Sequence, residues 1–177
     1  MARFGRKIVA GGLASSRFGN ISMRVDDRIA ITKTGSMLDE LSPDQIVEVD
    51  LEPCSLDSIA SSETCVHRAV YNRTQAKAII HTHSPYAVAM SLVLKDSIEP
   101  IDGEGMAFLG SVPIVSGGFG TDLLAENVSS ALQDHRACIA RGHGVFAVGE
   151  SLADAYTVAC MTEHSSQIRY LVGLCRT

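Results

Sequence analysis

The amino-acid sequence predicts one α/β domain over residues 1–177, with helices layered around a mostly antiparallel sheet. Three observations predict it. Strand-type runs come in pairs with no helix between them near both ends of the chain, at 21–25 with 28–32 and at 138–140 with 145–148, which favours antiparallel neighbours. Between these pairs, helical and strand patterns alternate. No internal repeat, low-complexity tract or linker divides the chain.

Taken in order, Phe4, Ile8 and Val9 share helical spacing, so 3–13 is expected to be an amphipathic helix ended by Gly11-Gly12. The runs 21–25 and 28–32 flank Asp26-Asp27 as a hairpin, and 46–51 alternates apolar with acidic residues like a half-exposed strand. Ser61-Ser62 suits a helix cap, placing Glu63 in a first turn ahead of Val66, Ala69 and Val70. A strand over 78–81 follows, then a helix opened by Ser84 and Pro85. Residues 102–105 read as a loop and 112–115 as a strand. Thr121 caps a helix running to about Gln133, and a long helix closes the chain over 151–174.

Composition narrows the class. A chain of 177 residues can bury a real core, and no apolar run approaches bilayer length. The basic then apolar N-terminus is cut short by Gly11-Gly12, so no signal peptide is expected. A net charge of −5 without any dense Lys/Arg run argues against nucleic acid or an anionic membrane as partner. The 5 cysteines are scattered and lack Cys-x-x-Cys spacing, as reduced thiols of a cytoplasmic protein would be.

The chemistry concentrates in Ile79-Ile80-His81-Thr82-His83-Ser84-Pro85. Alternate strand side chains share a face, so His81 and His83 project together at a strand end. A third imidazole, His143, stands between Gly142 and Gly144, where bare backbone permits close approach. Three imidazoles with an open position form the ligand set of a catalytic zinc or similar ion. His67, His135 and His164 lack such a setting and read as structural or surface residues. Small hydroxyl and glycine residues at Gly19-Asn20, Thr34-Gly35, Ser61-Ser62 and Gly117-Gly118 are ordinary turn and cap residues singly. At helix N-termini they also suit a phosphate. Glu63 complements a helix dipole, and beside a metal it can act as a general base. Lys33 and Arg17 can add positive charge to such a phosphate site, though both read first as solvated surface residues.

Gly19-Asn20-Ile21-Ser22, Thr34-Gly35, Ser61-Ser62-Glu63, His81-Thr82-His83 and Gly142-His143-Gly144, in this order, resemble the class II aldolase/adducin family over about residues 3–172. The resemblance implies a three-layer α/β/α sandwich that assembles as a C4 homotetramer with interfacial active sites. It implies a Zn2+-type ion, or Mn2+ or Co2+, on His81, His83 and His143, with Glu63 as catalytic acid/base. Asn20, Thr34, Gly35, Ser61 and Ser62 then hold the substrate phosphate. The implied activity is reversible cleavage of a phosphorylated sugar, a ketose 1-phosphate, to dihydroxyacetone phosphate and an aldehyde such as lactaldehyde. The family also holds epimerases, dehydratases, decarboxylases and non-catalytic adducin-like modules, and the intact histidines speak against the last. The cupin and metallo-β-lactamase patterns demand a Glu or an Asp-His after the pair, where this chain has Ser84-Pro85-Tyr86. One departure stands out: the tyrosine that aldolases of the family lend to a neighbouring subunit aligns near Asp102-Gly103, where none stands. Asp102 and Glu104 are the nearest candidates in sequence for a substitute proton donor, kept protonated by burial and nearby negative charge, and the competing reading, the favoured one, is two loop acids that face solvent.

Overall fold

The computed structural model describes residues 1–175. The elements run α1 (Ala2–Ala10), β1 (Asn20–Val25), β2 (Arg28–Thr32), β3 (Ile46–Asp50), α2 (Thr64–Arg73), β4 (Ala78–Thr82), α3 (Pro85–Val93), β5 (Ser97–Ile98), β6 (Val112–Val115), α4 (Asp122–Ala131), β7 (Ala137–Ala140), β8 (Gly144–Gly149) and α5 (Leu152–Leu174). The strands form one sheet in the order β3-β2-β1-β4-β8-β7-β6-β5. The hairpin of β1 and β2 turns through Asp26 at φ 53°, a left-handed conformation that aspartate tolerates.

The sheet is mixed, which refines the expectation of a mostly antiparallel one. Among the described residues the β6–β7 ladder is parallel and the other ladders are antiparallel. The reason is connectivity: α4 lies between β6 and β7, and a helical crossover returns the chain in the same direction. Strand β5 was not foreseen, since two residues show no periodicity. Residues 102–105 are not simply a loop, because they lead into a π-type turn at Gly105–Leu109.

β4 sits at the centre, buried along its length between β1 and β8. Its alternate residues enter two different cores. Ile80 packs with Ile8 of α1, Met90 of α3 and Val158 of α5 on one face. Ile79 packs with Val66 of α2 and Leu124 of α4 on the other. Helices therefore cover both faces, and register places Asn20 and Phe146 directly beside His81 on the neighbouring strands. No helix among the described residues is long and apolar enough to cross a membrane.

Candidate metal centre and substrate cavity

His81 is fixed before any ligand arrives. Its Nδ1 lies 3.0 Å from the Val145 carbonyl, which can only accept, so the ring proton sits on Nδ1. Phe146 stacks on the ring at 4.1 Å between centroids and 21° between planes. Room for this is made by Gly144, where a Cβ would lie 2.2 Å from the Thr82 carbonyl oxygen and 2.9 Å from His81 Cε1. On the β1 side Gly19, at φ 90°, would place a Cβ 2.6 Å from the His81 carbonyl oxygen.

With Nδ1 protonated, Nε2 offers a lone pair. It faces His83 Nε2 at 3.1 Å and Glu63 Oε2 at 3.1 Å. The Nε2 of His143 lies 3.7 Å from Glu63 Oε1, and His143 Nδ1, His143 Nε2 and Glu63 Oε1 are buried without hydrogen-bond partners. Burial, with the neighbouring His143 and His83, holds His81 well below the usual histidine range. Burial and His143 bring His83 down to about 4, and burial lowers His143 too. Imidazoles kept neutral and the Glu63 carboxyl thus converge on one point, toward which the His81 Nε2 lone pair is turned. One ligand atom from each of the three histidines fits within 4.8 Å of the others. Such a donor set fits a divalent ion of the zinc type.

Glu63 departs from its expected place. It is the N-cap residue of α2, at φ −102° and ψ 16°, and its side chain makes no cap. The carboxylate leaves the helix axis, and its Oε2 accepts from Asn20 Nδ2 at 3.1 Å. Ser61 shapes this turn: its N–H donates to the Thr32 carbonyl at 3.0 Å, and its hydroxyl accepts the Glu63 N–H at 3.3 Å. Burial pushes the Glu63 carboxyl up to about 7, against the opposing pull of Asn20.

A cavity of about 200 Å³ opens beside Glu63. Asn20, Thr34, Gly35, Ser61 and Ser62, the candidate phosphate residues, all line it together with Glu63 and His83. Arg17, which is exposed, and Lys33, which is half-buried, line it as well, so solvated cations also face the cavity. Phe18 and Phe119 stand at its mouth, 5.6 Å from the His83 ring and 5.3 Å from the His143 ring, each mostly exposed. Gly117-Gly118 is not among the lining residues.

Asp102 and Glu104 line a different, larger cavity of about 410 Å³ with Glu163 and His164. Burial pushes Asp102 upward, but the hydrogen bonds it accepts, Gly105 N–H among them at 2.8 Å, more than offset this, and its carboxyl is held low. A carboxyl held low is ionised, which fits the loop-acid reading of Asp102 better than that of a protonated donor. His67 is buried, with Nδ1 2.6 Å from the Ser22 hydroxyl, His164 is exposed and His135 is half-buried. None of these three belongs to the histidine triad.

A mixed α/β sheet with a buried tri-histidine corner and an adjoining carboxylate defines the class. Known proteins then give the family. Residues 1–170 match the model of the class II aldolase and adducin N-terminal domain. An L-fuculose phosphate aldolase of Methanococcus maripaludis is 33% identical over 172 residues, 96% of this chain and 91% of that protein. A 3-oxo-tetronate 4-phosphate decarboxylase of Haemophilus influenzae is 32% identical over 163 residues, covering 88% of this chain and 78% of the relative. The crystal structure of L-fuculose-1-phosphate aldolase from Thermus thermophilus superposes with TM-score 0.95 at 39% identity, over 99% of this chain and 93% of that one. The chain belongs to the class II aldolase and adducin family, and it is a lyase of the class II aldolase type.

Proposed function

We propose that the protein reversibly cleaves a ketose 1-phosphate of the fuculose 1-phosphate kind into dihydroxyacetone phosphate and a short aldehyde such as lactaldehyde. The observation carrying this reading is the position of Glu63: one carboxylate lies 3.1 Å from His81 Nε2 and also lines the cavity of the phosphate candidates. Asn20, Thr34, Gly35, Ser61 and Ser62 bind the phosphate, with Arg17 and Lys33 supplying positive charge. His81, His83 and His143 hold the divalent ion, Zn2+ or a comparable Mn2+ or Co2+. Bound there, the ion acts as a Lewis acid toward oxygens next to the reacting carbon. Glu63 moves the carbon-bound proton: it removes it from dihydroxyacetone phosphate in the addition direction and returns it after cleavage. Asn20 holds Oε2, which leaves Oε1 as the oxygen that carries the proton.

The same proposal includes a single domain with a three-layer α/β/α build, supported by one sheet with a core on either face. It includes self-association as a C4 homotetramer; the exposed apolar Leu92, Val93, Met106, Phe108 and Leu123 support self-association, and the fourfold arrangement is what the family resemblance implies. It also includes a cytoplasmic setting, supported by free thiols at Cys54, Cys65, Cys138, Cys160 and Cys175. A second reading is decarboxylation of a phosphorylated sugar acid. The two cations in the cavity favour it, since a substrate with both a phosphate and a carboxylate would use both.

A coupled assay separates the readings. Purified protein is offered fuculose 1-phosphate, 5-deoxyribulose 1-phosphate, ribulose 5-phosphate and 3-oxo-tetronate 4-phosphate. Release of dihydroxyacetone phosphate from a ketose 1-phosphate is the expected result. Carbon dioxide release alone selects the second reading, and turnover of ribulose 5-phosphate alone overturns both.

A further inference from the structure

Two of the candidate ligands lie outside the strands. His83 follows the end of β4, and His143 lies between β7 and β8, so the sheet ladders do not fix either backbone directly. Helix α3 joins them. Its first residue, Pro85, comes two positions after His83, and its C-terminal end meets the Arg141-Gly142 segment that leads into His143.

Pro85 marks the start of α3, but its own sequence supplies little else to hold its ends. It has no acidic residue in its first turn, no basic residue in its last, and Leu94 at its C-cap. Ser84 holds the N-cap position without capping, because its hydroxyl pairs with the Thr82 hydroxyl at 2.8 Å. Two distant side chains complete the helix instead. Glu163 on α5 accepts the Tyr86 N–H on one carboxylate oxygen and the Ala87 N–H on the other, both at 2.9 Å. At the opposite end the Arg141 guanidinium donates to the Leu94 carbonyl at 2.8 Å and also to the carbonyls of Ser91 and Lys95. The next residue, Gly142, donates its N–H to the Ser91 hydroxyl at 2.9 Å. A helix leaves free N–H groups at its start and free carbonyls at its end, with matching partial charges. An anion and a cation therefore hold α3 by its two ends.

We infer that Glu163 and Arg141 are positioning residues for the metal centre. Clamped between them, α3 is a strut of fixed length that sets how far His83 and His143 stand apart and how their rings meet His81. The inference rests on the reading of the triad as a metal site. It adds that the spacing of two ligands is set through residues that touch neither ring.

The test measures metal binding directly. Zinc affinity by competition with a chromophoric chelator, and the visible spectrum of the cobalt(II) form, are compared for the wild type, Glu163→Ala, Glu163→Gln and Arg141→Lys. Thermal unfolding of the metal-free proteins is followed alongside. Glutamine keeps one acceptor and loses the other, while lysine keeps the charge and loses the planar fork. Glu163→Ala is expected to weaken zinc by up to about 10-fold, less than the roughly 10- to 100-fold typical of losing a direct hydrogen-bond partner of a metal ligand, since Glu163 acts through the α3 backbone. The Gln and Lys variants should fall between it and the wild type, with altered cobalt bands and cooperative unfolding retained. If Glu163→Ala does not fold, those two variants decide. Variants that melt earlier but keep wild-type affinity and cobalt spectrum overturn the inference and leave two helix caps. A wild type that takes up no divalent ion overturns the metal reading and this inference together.

Discussion

Among the described residues, two clusters bring three metal-competent side chains within 4.8 Å of one another: His81, His83 and His143 in one, Asp102, Glu104 and His164 in the other. They differ in everything else. In the first, His81 is fully buried, His83 and His143 are half-buried, and the His81 ring is held by a backbone carbonyl and a stacked phenyl. In the second, the side chains of His164 and Glu104 are 52% and 74% exposed, and Asp102 is already engaged by Gly105. Solvent meets the needs of an exposed acid or imidazole at no cost, so proximity there says little. Buried polar atoms left without a partner, as at His143 Nε2 and Glu63 Oε1, have no such outlet, and a bound cation would satisfy them.

The largest expected effect breaks the first cluster. His83→Ala should purify with far less than one zinc-type ion per chain and without activity, whereas His164→Ala should keep wild-type metal content, both by elemental analysis. Equal loss from the two variants would erase the contrast between the clusters.

Next comes Glu63→Gln, which keeps shape and removes the basic oxygen. Turnover should drop about 10²- to 10⁴-fold, the usual worth of a general base, with metal content retained. Near-normal turnover would remove Glu63 from the chemistry.

Phe146→Ala sharpens the role of burial around His81. Deleting a fully buried ring should cost about 3–5 kcal/mol in denaturant unfolding. Zinc affinity should fall as well, because the His81 ring loses its stacking partner. Phe146→Leu should recover most of the stability and less of the affinity.

A smaller effect isolates burial from metal binding. Burial of His67 brings its pKa down to about 3, while the unfolded chain titrates near 6.5. Below pH 6.5 the unfolded state takes up a proton that the folded state refuses, so stability falls as pH drops from 6.5 toward 3. The slope approaches about 1.4 kcal/mol per pH unit. His67→Gln should flatten that slope in acid unfolding curves. An unchanged slope would mean that other groups set the acid limit.

The smallest effect concerns the second cluster again. Glu104→Gln should leave metal content, stability and turnover within error of the wild type in monomer and assembly alike. A selective loss of aldol cleavage, with solvent-deuterium exchange into dihydroxyacetone phosphate intact, would return Glu104 to the role of proton donor.

The sequence made some of this legible and hid the rest for physical reasons. His81 and His83 were readable because a two-residue period on a strand puts alternate side chains on one side whatever the tertiary fold. The glycines beside His143 were readable because close approach leaves few other residues possible. Glu63 was readable as a helix-start acid, but its turn toward Asn20 depends on β1 lying next to β4, a contact of distant segments. Lys33 and Arg17 were readable as candidate charges for a phosphate, but the cavity they line follows from where the end of β2 and the loop before β1 meet the Ser61 turn. The parallel pairing of β6 and β7 was hidden in the same way. The partner of the α3 N-terminus, Glu163, lies 77 residues from Tyr86.

Gly144, the first residue of β8, and Gly19, the residue just before β1, flank His81, and at each a single added carbon would collide with backbone. Backbone cannot move aside as a side-chain tip can, so in a saturation library these two positions should tolerate no replacement that keeps metal binding. Many hydrophobic positions of both cores should still accept substitutes of similar volume. The mutational map of this protein would then show its most intolerant sites at two residues that have no side chain and take no part in any reaction.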